Sequence, residues 1–218
     1  MNANMPTTSD NSLHPQQWAA QQSDKRTRGD SRRDRALESL WEWVGQPLLR
    51  ITFHNWYGVR RALLSLFGAT VHPTARIRPS AIISHPWRLV IGASSSIGDH
   101  AIVHCLGDVT IGDGCTISQY VHLCTATYDY ERSDMPVIVK PIVIEDDVWL
   151  AADVFVGPGV TIAKGAVVGA RSTVMKSLRE WSIYAGDSAK PVAKRVLASG
   201  CGSVTGALAE QHGVLDRL

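Results

Sequence analysis

Two histidines, His104 and His122, are candidates to accept a proton from a hydroxyl group. Free imidazole has a pKa of about 6.5, so it is mostly neutral at pH 7 and can act as a base. Each histidine stands directly beside an aliphatic residue, Val103 or Leu123, that belongs to a regular pattern in the chain. Whether the two imidazoles share one surface therefore depends on the elements that carry this pattern.

The pattern is an aliphatic residue at every sixth position, with short interruptions. A second column, four residues after each aliphatic one, contains mostly small or β-branched side chains. A helix would need a period near 3.6 and an ordinary strand a period of two, so neither explains the spacing. A period of six is typical of short strands joined by tight turns around a triangular prism, with three hexapeptides in each coil. The aliphatic positions are Val71, Ile77, Ile83, Ile91, Ile97, Val103, Ile111, Ile117, Leu123, Ile144, Leu150, Val156, Ile162, Val168 and Val174.

The coils can be stacked from the sequence. Stacking places Val103 and Leu123 in one column, so His104 and His122 are expected on the same outward face. The one long interruption of the spacing follows Leu123, and the stretch 125–141 must leave the prism as a loop and return at the same corner. Long loops on a rigid scaffold often carry function. The full columns are Ile91, Ile111, Ile144 and Ile162, and Ile83, Val103, Leu123, Val156 and Val174.

The predicted fold class is all-β: a left-handed parallel β-helix of hexapeptide repeats with an N-terminal helical segment and a short C-terminal helix. Residues 1–36 are polar and are expected to be a disordered arm. Residues 37–70 carry apolar side chains at helical spacing, which indicates either a cap on the open end of the prism or an aromatic, arginine-flanked surface, over 37–67, that rests on a membrane. Residues 71–178 form the prism. Residues 179–218 form a C-terminal segment with a helix near 191–197 and a flexible tail.

Composition argues against two classes of function. The formal net charge is +2 and the basic residues do not gather on one periodic face, so nucleic-acid binding is not indicated. No stretch approaches the roughly 20 apolar residues that a spanning helix needs. The cysteines include no CxxC pair and the first residues lack the layout of a signal peptide, so we expect buried thiols and a cytoplasmic protein, at most peripheral to the inner face of the membrane. The cysteines are Cys105, Cys115, Cys124 and Cys201.

Several motifs across residues 47–193 are more specific than the repeat. They include Pro86-Trp87-Arg88-Leu89, Leu123-Cys124-Thr125, Val148-Trp149-Leu150-Ala151 and Gly157-Pro158-Gly159. In these motifs the chain resembles the hexapeptide-repeat acyltransferases, and within them the colanic acid biosynthesis acetyltransferase type. The resemblance implies acetyl-CoA as donor, a hydroxyl of a saccharide or nucleotide sugar as acceptor, and a place in exopolysaccharide biosynthesis. It also implies a homotrimer, with the donor in a groove between neighbouring prisms.

The resemblance also implies roles for single residues. Ala152 and Ala170 take positions whose backbone contacts the pantetheine arm of the donor, and Trp149 shapes the wall where the thioester meets the acceptor. Basic residues are expected near the nucleotide phosphates, since phosphates attract cations. These are Lys176, with Lys190, Lys194 or Arg195 in support.

The sequence departs from the family at one position. Tyr128, followed by Asp129, stands in the loop where the family usually has its catalytic histidine. A phenol with a pKa of about 10 is ionised only to about one part in a thousand at pH 7. The base is therefore left open between Tyr128, His122 and His104, with Asp129 or Asp108 orienting the imidazole.

Two functions remain open on this basis. The first is an O-acetyltransferase that moves an acetyl group from acetyl-CoA to a saccharide hydroxyl. The alternative is a catalytically weakened or inactive trimer that binds coenzyme A or a sugar, or serves as a scaffold, because Tyr128 replaces the expected histidine. Some proteins of this fold are zinc enzymes with three histidines, but His100, His104 and His122 lack their His-x4-His spacing, so no metal is expected.

Overall fold

The structure, a computed structural model, describes residues 32–197, with side chains from residue 35 onward. Three helices open this part of the chain: α1, Arg32–Leu40, which continues as a π-helical turn, Trp41–Gly45; α2, Gln46–Ile51; and α3, Tyr57–Leu66. Residues 32–36, which were expected in the disordered arm, are therefore helical. One contact that fixes α1 is the 3.2 Å approach of Glu38 Oε1 to His85 Nε2 of the prism. The rest of the expected arm and the tail after residue 197 lie outside the described residues.

Short strands joined by turns follow the helices, with one 3-10 turn at Pro86–Arg88. The strands are β1 Thr70–Val71, β2 Arg76–Ile77, β3 Ile82–Ile83, β4 Leu89–Ile91, β5 Ser96–Ile97, β6 Ile102–His104, β7 Val109–Ile111, β8 Thr116–Ile117, β9 His122–Cys124, β10 Ala126–Tyr128, β11 Val137–Val139, β12 Ile142–Ile144, β13 Trp149–Leu150, β14 Phe155–Val156, β15 Thr161–Ile162, β16 Val167–Val168, β17 Thr173–Val174, β18 Ser182–Ala185 and β19 Lys190–Lys194.

The strands form three sheets, one for each side of a triangular prism. Face A has the strand order β1-β4-β7-β12-β15, face B the order β2-β5-β8-β13-β16-β18-β19, and face C the order β3-β6-β9-β14-β17. Coil 1 is thus β1–β3, coil 2 β4–β6, coil 3 β7–β9, coil 4 β12–β14 and coil 5 β15–β17. Neighbouring strands of successive coils are parallel, which confirms the predicted left-handed parallel β-helix.

The predicted columns are confirmed by the register of the strands. Ile111 pairs with Ile91 on one side and with Ile144 on the other, and Leu123 pairs with Val103. From coil 2 to coil 5, every member of the two columns is at most 2 % exposed. The core is therefore a stack of aliphatic layers, because the same inward position recurs in every coil.

The helices close the open end of the prism through side chains that bond to the edge of coil 1. The Gln46 amide accepts a hydrogen bond from the Ile83 amide (3.0 Å) and donates one to the Ala81 carbonyl (2.9 Å). Arg60 donates to the Ile77 carbonyl at 2.6 Å. Unpaired strand edges expose donors and acceptors, so these bonds satisfy groups that no further coil would pair. Apolar side chains that fill the same end are Trp41, Leu49, Leu64 and Phe67.

The outer side of the helical segment is apolar and exposed. Trp43 is 82 % exposed, Leu66 81 %, Ile51 75 % and Phe53 73 %. None of the helices in the described part of the chain is both long enough and apolar enough to cross a membrane. The segment therefore has two apolar sides, one that packs on the prism and one that faces outward.

The predicted short helix near 191–197 is wrong over the described residues. Lys190–Lys194 forms β19, which pairs antiparallel with β18, Ser182–Ala185. The turn between them uses Gly186, with a φ of 101° that favours glycine. The physical reason is the last coil itself: β18 has an edge that no further coil would pair, and the returning chain pairs with it.

Candidate active site

The predicted loop over 125–141 is an antiparallel hairpin of β10 and β11. It leaves the prism at the corner between faces C and A, because β9 belongs to face C and β12 to face A. The buried residue Thr125 anchors the hairpin where it joins the prism. The Thr125 hydroxyl donates a hydrogen bond to the His104 carbonyl at 2.8 Å and accepts one from the Gly107 amide at 2.8 Å. The Lys140 amide donates to the Thr125 carbonyl at 2.9 Å as the hairpin returns. The hairpin is therefore anchored on coil 2, beside His104.

His104 and His122 lie on the outward side of face C, in neighbouring coils. His122 is in register with Ile102, and His104 with Cys124. The two imidazoles are thus offset by two residues along the strands. His104 Nδ1 is 3.9 Å from Cys124 Sγ. The His122 ring packs edge-on against the Phe155 ring, with 5.3 Å between centroids.

The environment of His122 favours its neutral form. Burial lowers the pKa of His122 from its ordinary value of 6.5, and a positive charge on His104 would lower it further. A neutral imidazole at pH 7 has a free lone pair, which is the state that a general base requires. His122 is only half-buried, so a hydroxyl group can still approach it.

The two carboxylates that were expected to orient an imidazole do not contact one within the described residues. Asp129 Oδ1 accepts a bond of 3.2 Å from the Glu131 amide, inside the hairpin. Asp108 Oδ1 is buried, lies 3.8 Å from Arg88 Nη1, and has no hydrogen-bond partner in residues 35–197. The geometry of the hairpin turn explains the first of these results, because it directs Asp129 to its own backbone.

Tyr128 ends β10 and is 58 % exposed. Its hydroxyl forms no hydrogen bond to any described residue. The hairpin therefore presents the phenol to the outside of the prism, next to the corner where faces C and A meet.

The residues expected around the donor lie on other parts of the prism. Trp149 is on face B and donates a hydrogen bond of 3.2 Å to Ser118 Oγ. Ala152 and Ala170 lie one coil apart at the corner between faces B and C, where the Arg171 amide donates to the Ala152 carbonyl at 2.9 Å. Within one chain, the expected donor wall and the candidate bases therefore face different directions.

The basic residues expected near the phosphates are not brought together. Lys190 begins β19 opposite Ala185, close to the corner that carries Ala170. Lys176 follows β17, at the corner between faces C and A. Arg195 lies at the third corner, where it donates to the carbonyls of Asp147 (2.6 Å) and Gly165 (3.0 Å). Of the three, Lys190 is best placed for a donor bound along the corner of Ala152 and Ala170.

A groove of about 570 Å³, which the sequence pattern did not predict, lies on face B in coils 1 to 3. Its lining includes Tyr57 of α3, Arg76 and Arg78 of coil 1, and Ser118 of coil 3. The alternation of Arg76, inward Ile77 and Arg78 indicates that both arginines face outward. The sequence gives no sign, however, that α3 forms one wall.

Comparisons with known proteins agree with this architecture. A family model described as "Bacterial transferase hexapeptide (six repeats)" matches residues 141–176. The chain is 42 % identical over 158 residues to the protein named "Putative colanic acid biosynthesis acetyltransferase WcaF" of Escherichia coli strain K12. The matched region covers 72 % of this chain and 82 % of that protein.

Solved structures show the same fold. A hexapeptide-repeat containing acetyltransferase from Vibrio cholerae matches with a TM-score of 0.68 and 28 % identity, over 76 % of this chain and 94 % of that one. A second structure of the Vibrio cholerae protein, complexed with acetyl coenzyme A, matches with a TM-score of 0.64 and 28 % identity, over 77 % and 91 % of the two chains.

The fold and these matches define the class as the hexapeptide-repeat transferases. Within this class, the chain belongs to the hexapeptide-repeat acetyltransferase family, together with the Escherichia coli protein.

Proposed function

We propose that this chain is an acetyl-CoA-dependent O-acetyltransferase, which moves an acetyl group to a hydroxyl of a saccharide or nucleotide sugar in exopolysaccharide biosynthesis. The observation that carries the proposal is the pair of imidazoles, His104 and His122, on face C beside the anchored hairpin. The identity to the colanic acid protein supports the acceptor class, and the acetyl coenzyme A complex of the Vibrio cholerae protein supports the donor.

In the proposed reaction His122 is the base. It takes the proton of the acceptor hydroxyl as that oxygen attacks the thioester carbonyl. The new C–O bond forms, the C–S bond breaks, and the protonated imidazole returns its proton to the departing thiolate. His104 keeps the neutral form of His122 favoured, because two positive charges so close together repel each other.

We also propose that the site forms between two copies of the chain in a homotrimer. Trp149 lies on face B, while the hairpin with Tyr128 leaves the corner opposite that face. No folding of one chain onto itself can join them, because the prism lies between. A neighbouring copy can supply face C and the hairpin to face B, as closed rotational symmetry requires the same contact at each interface.

Light scattering on the purified full chain tests the trimer. We expect a mass three times that of the 23.7 kDa chain. A monomer that still turns over acetyl-CoA with an acceptor would contradict an inter-subunit site.

Release of coenzyme A thiol tests the function itself, with wild type, Tyr128→His and Tyr128→Phe side by side over a panel of sugars and nucleotide sugars. We expect wild type to release thiol only when an acceptor is present, and Tyr128→Phe to retain most of that activity. Turnover in Tyr128→His alone would support the alternative, a weakened or inactive binding protein. A large loss in Tyr128→Phe would instead make the phenol the base.

Cytoplasmic location and peripheral contact with a membrane through residues 37–67 stay predictions. The exposed side chains of Trp43, Phe53 and Leu66 support the second of these, since aromatic and aliphatic groups on one outer side are typical of helices that rest on lipid.

A further inference from the structure

The groove on face B, which we call the arginine groove, has a simple construction. Its floor consists of two rows of small outward residues that continue the two arginines of coil 1. Ser96 and Thr116 are in register with Arg76. Gly98 and Ser118 occupy the position after the inward residue of β5 and β8, as Arg78 does after β2. The floor is therefore lined by small side chains over coils 2 and 3, and the longer guanidinium groups of coil 1 bound it at one end.

That end is strongly cationic. In residues 35–197 the Arg76 guanidinium forms no hydrogen bond or ion pair, and it is exposed. Arg78 Nε lies 3.0 Å from Asp99 Oδ2 and its Nη1 lies 2.6 Å from His54 Nε2, which leaves Nη2 as the nitrogen without a bond to any residue in 35–197. Arg60 and Arg61 lie behind it in α3, and the Arg60 guanidinium is 4.8 Å from the centre of the Tyr57 ring. Asp99 is the one carboxylate that forms an ion pair with any of these four arginines in the described part of the chain.

Burial lowers the pKa of Arg60 most. The Tyr57 hydroxyl raises it, and repulsion from Arg78 and Arg61 lowers it further. An excess of guanidinium groups at one end of an open groove attracts an anion, and the planar fork of arginine matches phosphate oxygens two at a time.

The opposite end of the arginine groove reaches the expected donor wall. Trp149 is the next residue in the row of Arg76, Ser96 and Thr116, and its indole N–H bonds to Ser118. Three steps between coils separate Arg76 from Trp149, about 14 Å at the usual spacing of neighbouring strands. A ligand that spans the groove is therefore longer than one sugar ring.

The middle of the groove fits a saccharide. Thr116 and Gln119 are exposed, and their side chains have no hydrogen-bond partner among residues 35–197. His100 and Tyr120 stack at one side, with 5.3 Å between centroids and 10° between planes. Free hydroxyl and amide groups beside a flat aromatic edge suit a ring that carries hydroxyls on its rim and C–H bonds on its face.

We propose that the arginine groove binds the acceptor, and that Arg76 and Arg78 bind a phosphate or diphosphate at its far end. The acceptor is thus a saccharide that carries a phosphate, with the hydroxyl to be acetylated near Trp149. The role of the bound saccharide as acetyl acceptor rests on the proposed function, whereas the binding of a phosphate by Arg76 and Arg78 does not depend on it. A nucleotide sugar and a lipid-linked sugar diphosphate share this chemistry.

Calorimetry on the full chain tests the anion site without any turnover. Inorganic pyrophosphate is titrated in the presence of saturating coenzyme A, which fills the donor phosphate site. We expect Arg76→Gln to weaken pyrophosphate binding by about tenfold or more, the loss of one charge-assisted bidentate contact. Arg76→Lys should recover part of the affinity, and Arg50→Gln, a change of an exposed arginine on α2, should have no effect.

Two results would overturn the proposal: no pyrophosphate binding by wild type, or binding that Arg76→Gln leaves unchanged. Competition then identifies the source of the phosphate. UDP-galactose and a soluble short-chain prenyl diphosphate galactose each compete with pyrophosphate. The compound that displaces pyrophosphate at the lower concentration identifies the source as a nucleotide sugar or a lipid-linked sugar. If pyrophosphate binds through Arg76 while no acceptor panel yields thiol release, the site stands and the proposed reaction fails.

Discussion

Replacing His122 by alanine is expected to lower kcat for acetyl transfer by about 100- to 10,000-fold, the contribution typical of a general base. The reason is that His122 combines partial exposure, a pKa lowered by burial, and a place on face C beside the anchored hairpin. The affinity for acetyl-CoA should stay the same, because the expected donor contacts come from Trp149, Ala152 and Ala170 and not from the imidazole. Steady-state kinetics with saturating donor, together with calorimetry for acetyl-CoA, measure the two quantities separately.

Two further variants make this result specific. His72→Ala is the matched control, since His72 is exposed on coil 1 and its ring bonds only to Thr74 among the described residues. It should retain wild-type kcat. His104→Ala should have an intermediate effect, because it removes a neighbour of His122 and the contact with Cys124. If His104→Ala abolishes turnover while His122→Ala is mild, the two roles are reversed.

The pH profile gives a second measure of the same base. A base must be unprotonated, and the pKa of His122 lies below 6.5 in the folded chain. We therefore expect kcat to decline toward acid with a midpoint below pH 6.5. Below pH 6.5 the unfolded chain also binds more protons at this residue, so the free energy of unfolding should decrease in the same range. The acid limb of kcat should be absent from the residual activity of His122→Ala.

The repeat could be predicted because many separate residues of the sequence indicate the same inward position. Ile91, Ile111 and Ile144 repeat one inward position, and a polar residue there would be buried in the core. The spacing also fixed the limits of the hairpin, since the period fails after Leu123 and resumes at Ile142. Such information is local to each hexapeptide and needs no knowledge of distant contacts.

The parts that were missed depend on elements that meet only in the folded chain. Lys190–Lys194 has no local signal for a strand, because its pairing partner is the free edge of β18. Likewise Arg76 and Arg78 could be placed on the outside, but the wall that Tyr57 adds comes from a helix nearly twenty residues earlier. The expected contact of Asp129 with an imidazole is absent among the described residues for a similar reason, since the hairpin turn places one oxygen of that carboxylate on the Glu131 amide.

Replacing Arg60 by leucine is expected to reduce the free energy of unfolding by about 3–5 kcal/mol, because buried acceptors left unpaired cost about 1–3 kcal/mol each. The Arg60 side chain is fully buried. It joins α3 to coil 1 through Ile77 and to the preceding turn through three oxygens. The bonds are 2.6 Å to the Ile77 carbonyl, 2.7 Å to Thr52 Oγ1, 2.8 Å to the Phe53 carbonyl and 2.8 Å to the His54 carbonyl.

The neighbouring arginine supplies the control. Among residues 35–197 the Arg61 side chain makes a single hydrogen bond, 3.0 Å to the Ala75 carbonyl, and it is only partly buried, so Arg61→Leu should cost about 0.5–1.5 kcal/mol. Arg60→Lys should be nearly as destabilising as Arg60→Leu, because an ammonium group cannot reach four acceptors from the position of a planar fork. Urea unfolding followed by tryptophan fluorescence, at one fixed protein concentration because an oligomer gains stability with concentration, measures all three. Equal stability of Arg60→Leu and Arg61→Leu would show that the helical segment closes coil 1 by apolar packing alone, with Trp41 and Leu64 in place of the arginine bonds.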